Sequence, residues 1–498
     1  MSPRAGQILI SAAHKSSGKT TVSVGLSRAL SERGAIVQPF KKGPDYIDPM
    51  WLARASGRPC YNLDFNTQEP AEILDMLASR SRGADIAIIE ANKGLYDGVD
   101  LQGSDSNAAL ARLTRSPVIL VIDTEGITRG IAPLLLGYRA FDREVDIAGV
   151  VLNKVAGPRH EAKLRAAVER YSDLPVLGSI WRNERLAVRE RHLGLMTPAE
   201  AGAVEERIEL MATAVREGID LDKVQAIAGR VKVSAGTGDA AEAADSVPAE
   251  DAHRVRIAVA RDTAFGFYYP DDLEALERAG ADLVYFDAIH DARLPPCDGL
   301  LIGGGFPETQ LDGLQANVSL RREIREAIVG GLPSYAECGG LMYLCRSIAF
   351  GGEPRQMVGV VPGDAVMNPK PQGRGQVRLV ETKACPWPAI DGQGGAGWRT
   401  NAHEFHFAGL RDIEPDLDFA FDLVRGDGID GRRDGVVVHN LVATFSHQRS
   451  TKSNPWARRF VAFVRRHAGQ QRDRGLTVLP ALPIKRGATD AQVGTTAP

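Results

Sequence analysis

From residue 7 to residue 226, short apolar runs alternate with stretches whose apolar positions recur at helical spacing. The runs QILISAA, ADIAIIE, PVILVID and IAGVVLN are rich in Ile and Val and bounded by turn residues, so they read as buried parallel strands. Between the first two lies TTVSVGLSRALSERG, with apolar positions at helical spacing and Gly34 as a C-terminal stop. Strands alternating with helices predict a doubly wound α/β sheet. The rhythm breaks over 228–252, where SAGTGDAAEAADSVPAED is rich in Ala, Gly, Ser and acids and has no period. That stretch predicts a linker. The pattern restarts at Val255 with RIAVARD, ADLVYFD and DGLLIGGG. The predicted organisation is therefore a domain over 1–227, a flexible linker over 228–252, a second α/β domain over 253–468 and a disordered tail over 469–498.

Composition leaves this picture in place and removes some functions from it. A chain of 498 residues is long enough for several cores, and its 44% hydrophobic and 25% charged content is ordinary for a globular protein. Lys and Arg total 60 against 63 Asp and Glu, a net charge of -3. The balance gives no global attraction to nucleic acid or to an anionic membrane, but it is compatible with a local basic pocket for a polycarboxylate. The five cysteines are odd in number and form no CxxC pair, which points to a reducing compartment. No apolar run reaches the ~18 residues of a membrane span, and the first residues enter a strand directly. A cytoplasmic location is expected.

The first candidate for chemistry is AAHKSSGKTT, which leads from the first strand into a helix. Gly18, Lys19, Thr20 and Thr21 fit the end of a phosphate-binding loop. In such a loop backbone N–H groups cradle phosphate oxygens, the lysine reaches the β and γ phosphates, and the Thr20 hydroxyl binds Mg²⁺. Ala13 replaces the usual first glycine, and Lys15 is one position out of register for the extra lysine of partition-type ATPases. Carboxylates for Mg²⁺ and ATP come from Glu90, at the end of an apolar strand, and from Asp45, Asp48 and Asp97 in KKGPDYIDP and EANKGLYDG. These sit at the carboxyl ends of strands, where open α/β sheets collect ligands. Asn153 ends another strand, placed to read an adenine edge.

The second candidate is LPSYAECGGLMYL, a strand, a tight elbow and a helix with Cys338 at the bend. An elbow of this kind exposes the sulfur at a helix start and favours thiolate. Its partner base is one of His403, His406, His439 and His447. Gly303, Gly304 and Gly305, after another strand, offer backbone donors for an oxyanion hole. The remaining cysteines, Cys60, Cys297, Cys345 and Cys385, read as structural.

Together, SSGKTT, QPFKKGPDYIDP, GRPCYNLD, IIEANKGLYDG, GGGFPE, AECGGLMYL and HEFHF resemble the cobyrinate a,c-diamide synthase family over nearly all of residues 7–465. The resemblance implies a P-loop, dethiobiotin-synthetase-like ATPase domain joined to a class I glutamine amidotransferase domain of triad type. It implies ATP, Mg²⁺, L-glutamine and a tetrapyrrole polycarboxylate, amidated on its a and c acetates through an acyl phosphate, with a homodimer as the candidate assembly. It makes Cys338 the glutaminase nucleophile and His447 its histidine. Thr20, Asp45 and Glu90 then serve Mg²⁺ and ATP, and Asp48 and Asp97 the substrate carboxylate and the transferring phosphoryl group. Amidation of sirohydrochlorin or siroheme on the same scaffold is the alternative. A partition-type regulatory ATPase has no use for the Cys338 elbow.

Overall fold

A computed structural model describes residues 4–186, 190–191, 194–195, 204–234 and 254–473. The first half is a seven-stranded, wholly parallel sheet. Its strands are β1 (Gly6–Ala12), β2 (Val37–Lys42), β3 (Tyr61–Leu63), β4 (Ile86–Glu90), β5 (Val118–Asp123), β6 (Ile147–Val155) and β7 (Val176–Trp181), in the order β3-β2-β4-β1-β5-β6-β7. Alternate residues of β1 feed opposite faces. Ile8 and Ile10 pack on one side with α1 (Lys19–Glu32), α2 (Ile47–Ser56) and the helices Val204–Gly218 and Leu221–Gly229. Leu9 packs on the other with the helices Pro70–Arg80, Asn107–Thr114, Ile131–Phe141 and Pro158–Tyr171. Burial on both faces is why the strands read as near-continuous apolar runs.

The first residues of the segment expected to be linker, from 228, border the first sheet. Val231 O accepts from Gln7 N and Val233 N donates to Ala5 O, so the chain borders the first sheet through Val233. The rest of that segment, 235–252, lies outside the described residues.

The second half holds a nine-stranded mixed sheet. Its strands are β8 (Val255–Ala260), β9 (Ala281–Phe286), β10 (Gly299–Ile302), β11 (Ser334–Glu337), β12 (Gly373–Glu381), β13 (Arg399–His406), β14 (Asp418–Arg425), β15 (Arg433–Val438) and β16 (Leu441–Thr444). The order is β9-β8-β10-β11-β16-β15-β14-β12-β13. The part from β9 to β16 is parallel, as the restarted α/β rhythm predicts, and the part from β15 to β13 continues it with antiparallel strands. The short helix α3 (Gly339–Leu344) follows β11, and α4 (Trp456–Asp473) closes the domain. The expected tail boundary at 469 therefore falls within α4, and 474–498 lie outside the described residues. No helix among the described residues is long and apolar enough to cross a membrane.

The two halves meet through buried polar contacts. The Arg449 guanidinium, from the second half, donates to Asn62 O at 2.6 Å in the first and pairs with Asp271 at 3.0 Å. Tyr61 donates to Glu274 at 2.7 Å. Asn66, in the turn after β3, donates to Ala402 O at 2.8 Å and Asn401 donates to Asn66 O at 2.8 Å, fixing the β12–β13 ribbon to the first half.

Candidate active site

The chain leaves β1 at Ala12 and re-enters helix at Lys19. Gly18 takes φ 91°, and a Cβ there would come 2.0 Å from Asn153 Nδ2. Only glycine fits this approach. Asn153, expected to read an adenine edge, donates an amide N–H to Ser17 O at 2.8 Å and so braces the loop from β6. Lys19 is buried at the start of α1, and burial, then the neighbouring Lys41 charge, lower its pKa to about 8.

Around the loop's far side three acids converge on one ammonium. Lys41 Nζ, at the end of β2, lies 2.8 Å from Glu90 and 3.5 Å from Asp45, and it also bonds Asp48. Thr20 Oγ1 donates to Glu90 Oε1 at 2.9 Å and approaches Asp48 at 3.4 Å. Burial lifts Glu90 to about 7, against the pull of Lys41. Burial and the adjacent Asp48 lift Asp45 to about 6. Burial also pushes Asp48 upward, but the Lys41 charge and hydrogen bond prevail and hold it below the ordinary carboxylate range. Lys41 itself stays protonated, because three carboxylates outweigh its burial. Asp45 Oδ1 accepts from Ile47 N at 2.9 Å and Asp48 N at 3.2 Å, so one of its oxygens is committed to starting α2. Asp97 stands apart from these. It is exposed, accepts from Gly94 N at 3.1 Å, and acts on Lys19 only through its charge.

These residues fit a nucleotide-borne Mg²⁺. Among the described residues no three His, Cys, Asp or Glu side chains hold a metal by themselves. Mg²⁺ that arrives with a nucleotide takes most of its shell from phosphate and water, so few protein ligands are needed. Thr20 supplies a hydroxyl, and Glu90 Oε2 is buried with no hydrogen-bond partner, an oxygen left over for that shell.

The cysteine elbow lies at the carboxyl end of β11. Cys338 adopts φ 48°, ψ −103°, a strained turn held by its N–H donating to Thr444 O at 2.7 Å. A Cβ on Gly340 would reach within 2.2 Å of Ile302 O, so the turn needs glycine to pack on β10. Of the candidate bases, His447 is the one that approaches Cys338. Its ring lies near enough for the Cys338 charge to act on it, and its Nδ1 lies 3.3 Å from Glu337 Oε2. Burial alone would depress its pKa, but Cys338 and Glu337 raise it to about 10. His447 is thus held as an imidazolium facing the sulfur.

The other histidines have different surroundings. His403 stacks on His447 with ring centroids 5.0 Å apart, and burial, then the His447 charge, keep it neutral. His406 stacks on Phe445 at 4.0 Å and bonds Ala408 O. His439, at φ 54°, sits in the turn between β15 and β16, at the opposite end of β16 from the elbow. Gly304 and Gly305 form a two-residue strand beside the site. A Cβ on Gly304 would lie 2.6 Å from the His447 ring, and the Gly305 backbone abuts Gly339. Of the two, Gly305 lines the open space in front of Cys338.

That space is shared. One chamber of about 1020 Å³ is lined by Gly18, Lys19, Thr20, Thr21, Asp45, Asp48 and Glu90 from the first half, and by Cys338, His403 and His447 from the second. Tyr46 stands where they meet. Its ring lies parallel to Phe267 at 5.2 Å and 5.2 Å from the His447 ring.

Sequence reasoning missed three residues here. Lys41 is hidden by the acids of KKGPDYIDP around it. Tyr46 has an aromatic signal but no local partner. Glu337 gives no signal beyond its place before Cys338. Its carboxylate accepts from Tyr335 OH at 2.6 Å and Gln448 N at 3.0 Å as well as facing His447.

With this geometry in view, the chain was compared with known proteins. Residues 8–194 match the CobQ/CobB/MinD/ParA nucleotide binding domain, and residues 256–455 the CobB/CobQ-like glutamine amidotransferase domain. The chain is similar to the cobyrinate a,c-diamide synthase of Magnetococcus marinus, with 42% identity over 91% of this chain and 96% of the relative. The enzyme of the same name from Methanosarcina acetivorans is 42% identical, over 89% and 92%. That from Archaeoglobus fulgidus is 38% identical, over 91% and 96%.

Proposed function

The chain belongs to the cobyrinate a,c-diamide synthase family of glutamine-hydrolysing carbon–nitrogen ligases, and from that premise we propose that it amidates the a and c acetates of cobyrinate, using ATP and glutamine, in cobalamin biosynthesis. The observation that carries this reading is the shared chamber, which sets a nucleophilic cysteine and a phosphate loop on one space. Ammonia released at one wall needs an activated carboxylate at the other.

On the amidotransferase side, the Cys338 sulfur attacks the glutamine amide carbon. The His447 imidazolium gives its proton to the departing ammonia and then takes one from the water that frees glutamate. Glu337, at Nδ1, holds the ring so that Nε2 faces the sulfur. Gly305 and the elbow backbone are placed to bind the oxyanion.

On the synthetase side, an acetate oxygen attacks the γ-phosphorus of ATP, ADP leaves, and the resulting acyl phosphate is opened by ammonia with loss of phosphate. Lys19 and Lys41 carry the cationic charge that balances the phosphoryl group. Thr20 and Glu90, with Asp45 behind them, are the residues that would hold Mg²⁺, and the ion would supply positive charge to the phosphoryl group. Asp48 orients Lys41, and Asp97 tunes Lys19 from outside the chamber.

The test is a product assay. Cobyrinate incubated with ATP, Mg²⁺ and glutamine should gain two acid-to-amide conversions by mass spectrometry. Exclusive conversion of sirohydrochlorin or siroheme would overturn the assignment in favour of the alternative.

A further inference from the structure

The chamber has a third wall that neither the nucleotide nor glutamine accounts for. The phosphate loop and the strand ends around Asn153 and Trp181 suit a nucleotide, and the space before Cys338 suits a glutamine side chain. Opposite them the β12–β13 ribbon presents Arg374 and Phe405, followed by Phe407. Phe405 is half-buried and Phe407 buried behind it, with ring centroids 6.0 Å apart at 57°, so this wall of the chamber is apolar. Arg374, directly across the ladder from Phe405, lays its guanidinium 5.6 Å from that ring and remains exposed.

Charge points the same way. Lys154 and Arg182, near the nucleotide end, are already paired with Asp123 and Glu125. Arg374, Lys93 and Lys15 also line the chamber, and among the described residues none of them forms an ion pair. Unpaired cations around an apolar floor suit a ligand with a flat hydrophobic body and several carboxylates on its rim. Arg374 is the cation of the three that belongs to the aromatic wall, and its planar fork suits a carboxylate. The ribbon is also held in place relative to the phosphate loop, because Asn66 and Asn401 tie it to the first half.

We propose that the Arg374–Phe405 face of the β12–β13 ribbon is the platform for the tetrapyrrole acceptor. This rests on the function proposed above. The macrocycle lies against Phe405, backed by Phe407, and Arg374 binds a rim carboxylate that is not being activated. An acetate on the far side of the ring then reaches the γ-phosphate, and the same platform accepts the ring again for the second amidation.

Steady-state kinetics of Arg374→Ala and Phe405→Ala, with cobyrinate as acceptor, test it. Loss of a charge-assisted contact raises the KM for cobyrinate about tenfold or more relative to any change in the KM for glutamine or ATP. Arg374→Lys, which keeps the charge but not the fork, recovers part of it. Equal rises in all three KM values, or an unchanged KM for cobyrinate, would overturn the platform. Absorbance titration of cobyrinate against wild-type and variant enzyme without ATP separates this outcome from failure of the function. Weaker binding in both variants supports the platform even if sirohydrochlorin proves to be the substrate turned over, and equal binding by all three proteins refutes it.

Discussion

The carboxylate of Glu337 faces Nδ1 of His447 at 3.3 Å, although Glu337 immediately precedes Cys338 in the chain. The position two residues beyond His447 carries Arg449, which turns away to Asp271 and Asn62, so the ring is oriented from the nucleophile's own strand. Glu337→Gln should lower glutamine-dependent turnover by roughly 10²–10⁴-fold, the range for loss of a histidine-orienting carboxylate. The pH profile separates orientation from simple damage. Glu337 helps raise His447 to about 10, so without that charge the imidazolium loses its proton at lower pH. The alkaline limb of glutaminase kcat/KM should therefore move to lower pH. A uniform loss of rate with an unmoved limb would count against the role.

The strands, the phosphate loop and the elbow were legible because each is a local pattern. Apolar runs such as ADIAIIE are buried on both faces of a parallel sheet, and GKTT needs only its neighbours to be read. The rest depends on contacts distant in sequence. Glu337 meets His447 across 110 positions, and Tyr46 meets Phe267 only once the two halves pack. Lys41 was hidden by the acids that surround it. Strand β12 is not legible locally, because GRGQVRLVE is basic and glycine-rich in place of clean alternation, yet it forms the ribbon that lines the chamber.

Cys338→Ala and Lys19→Ala should divide the reaction. The first removes the sulfur nucleophile and should abolish ammonia release from glutamine, while ammonium salts restore amide formation at the intact phosphate loop. The second should release ammonia and make no amide from either source. Amide formation by Lys19→Ala with ammonium would mean that the loop does not activate the carboxylate.

Lys41 is the one cation within a buried group of three acids, Asp45, Asp48 and Glu90. Lys41→Met leaves those charges unopposed and should cost about 3–5 kcal/mol of stability. The sign with pH follows from the acids. Glu90 at about 7 and Asp45 at about 6 bind protons in the fold that the unfolded chain releases near its ordinary carboxylate pKa. Stability is thus lost as pH rises through those folded values, between about 4.5 and 7. The loss should be steeper in Lys41→Met, where the acids are raised further. Urea midpoints of both proteins at pH 5 and pH 8 check this, and a variant as stable as wild type at pH 8 refutes it.

Tyr46 links the two chemistries through one short segment. Asp45 and Asp48 on either side of it belong to the synthetase acids, while its ring packs between Phe267 and His447 and 4.6 Å from Tyr269. It is buried and lines the common chamber together with Cys338. Tyr46→Leu keeps an apolar side chain but removes the flat ring and its contacts with Phe267, Tyr269 and His447. Ammonia that escapes the chamber is diluted into bulk solvent, so retention acts as a high effective concentration. The variant should consume more glutamine per amide formed, by roughly twofold or more on that argument. An external trap for free ammonia should lower its amide yield while leaving the wild type little changed. Ammonium-supported synthesis should stay close to the wild-type rate, because the phosphate loop is untouched. If the glutamine-to-amide ratio and the sensitivity to the trap both match the wild type, Tyr46 serves packing alone.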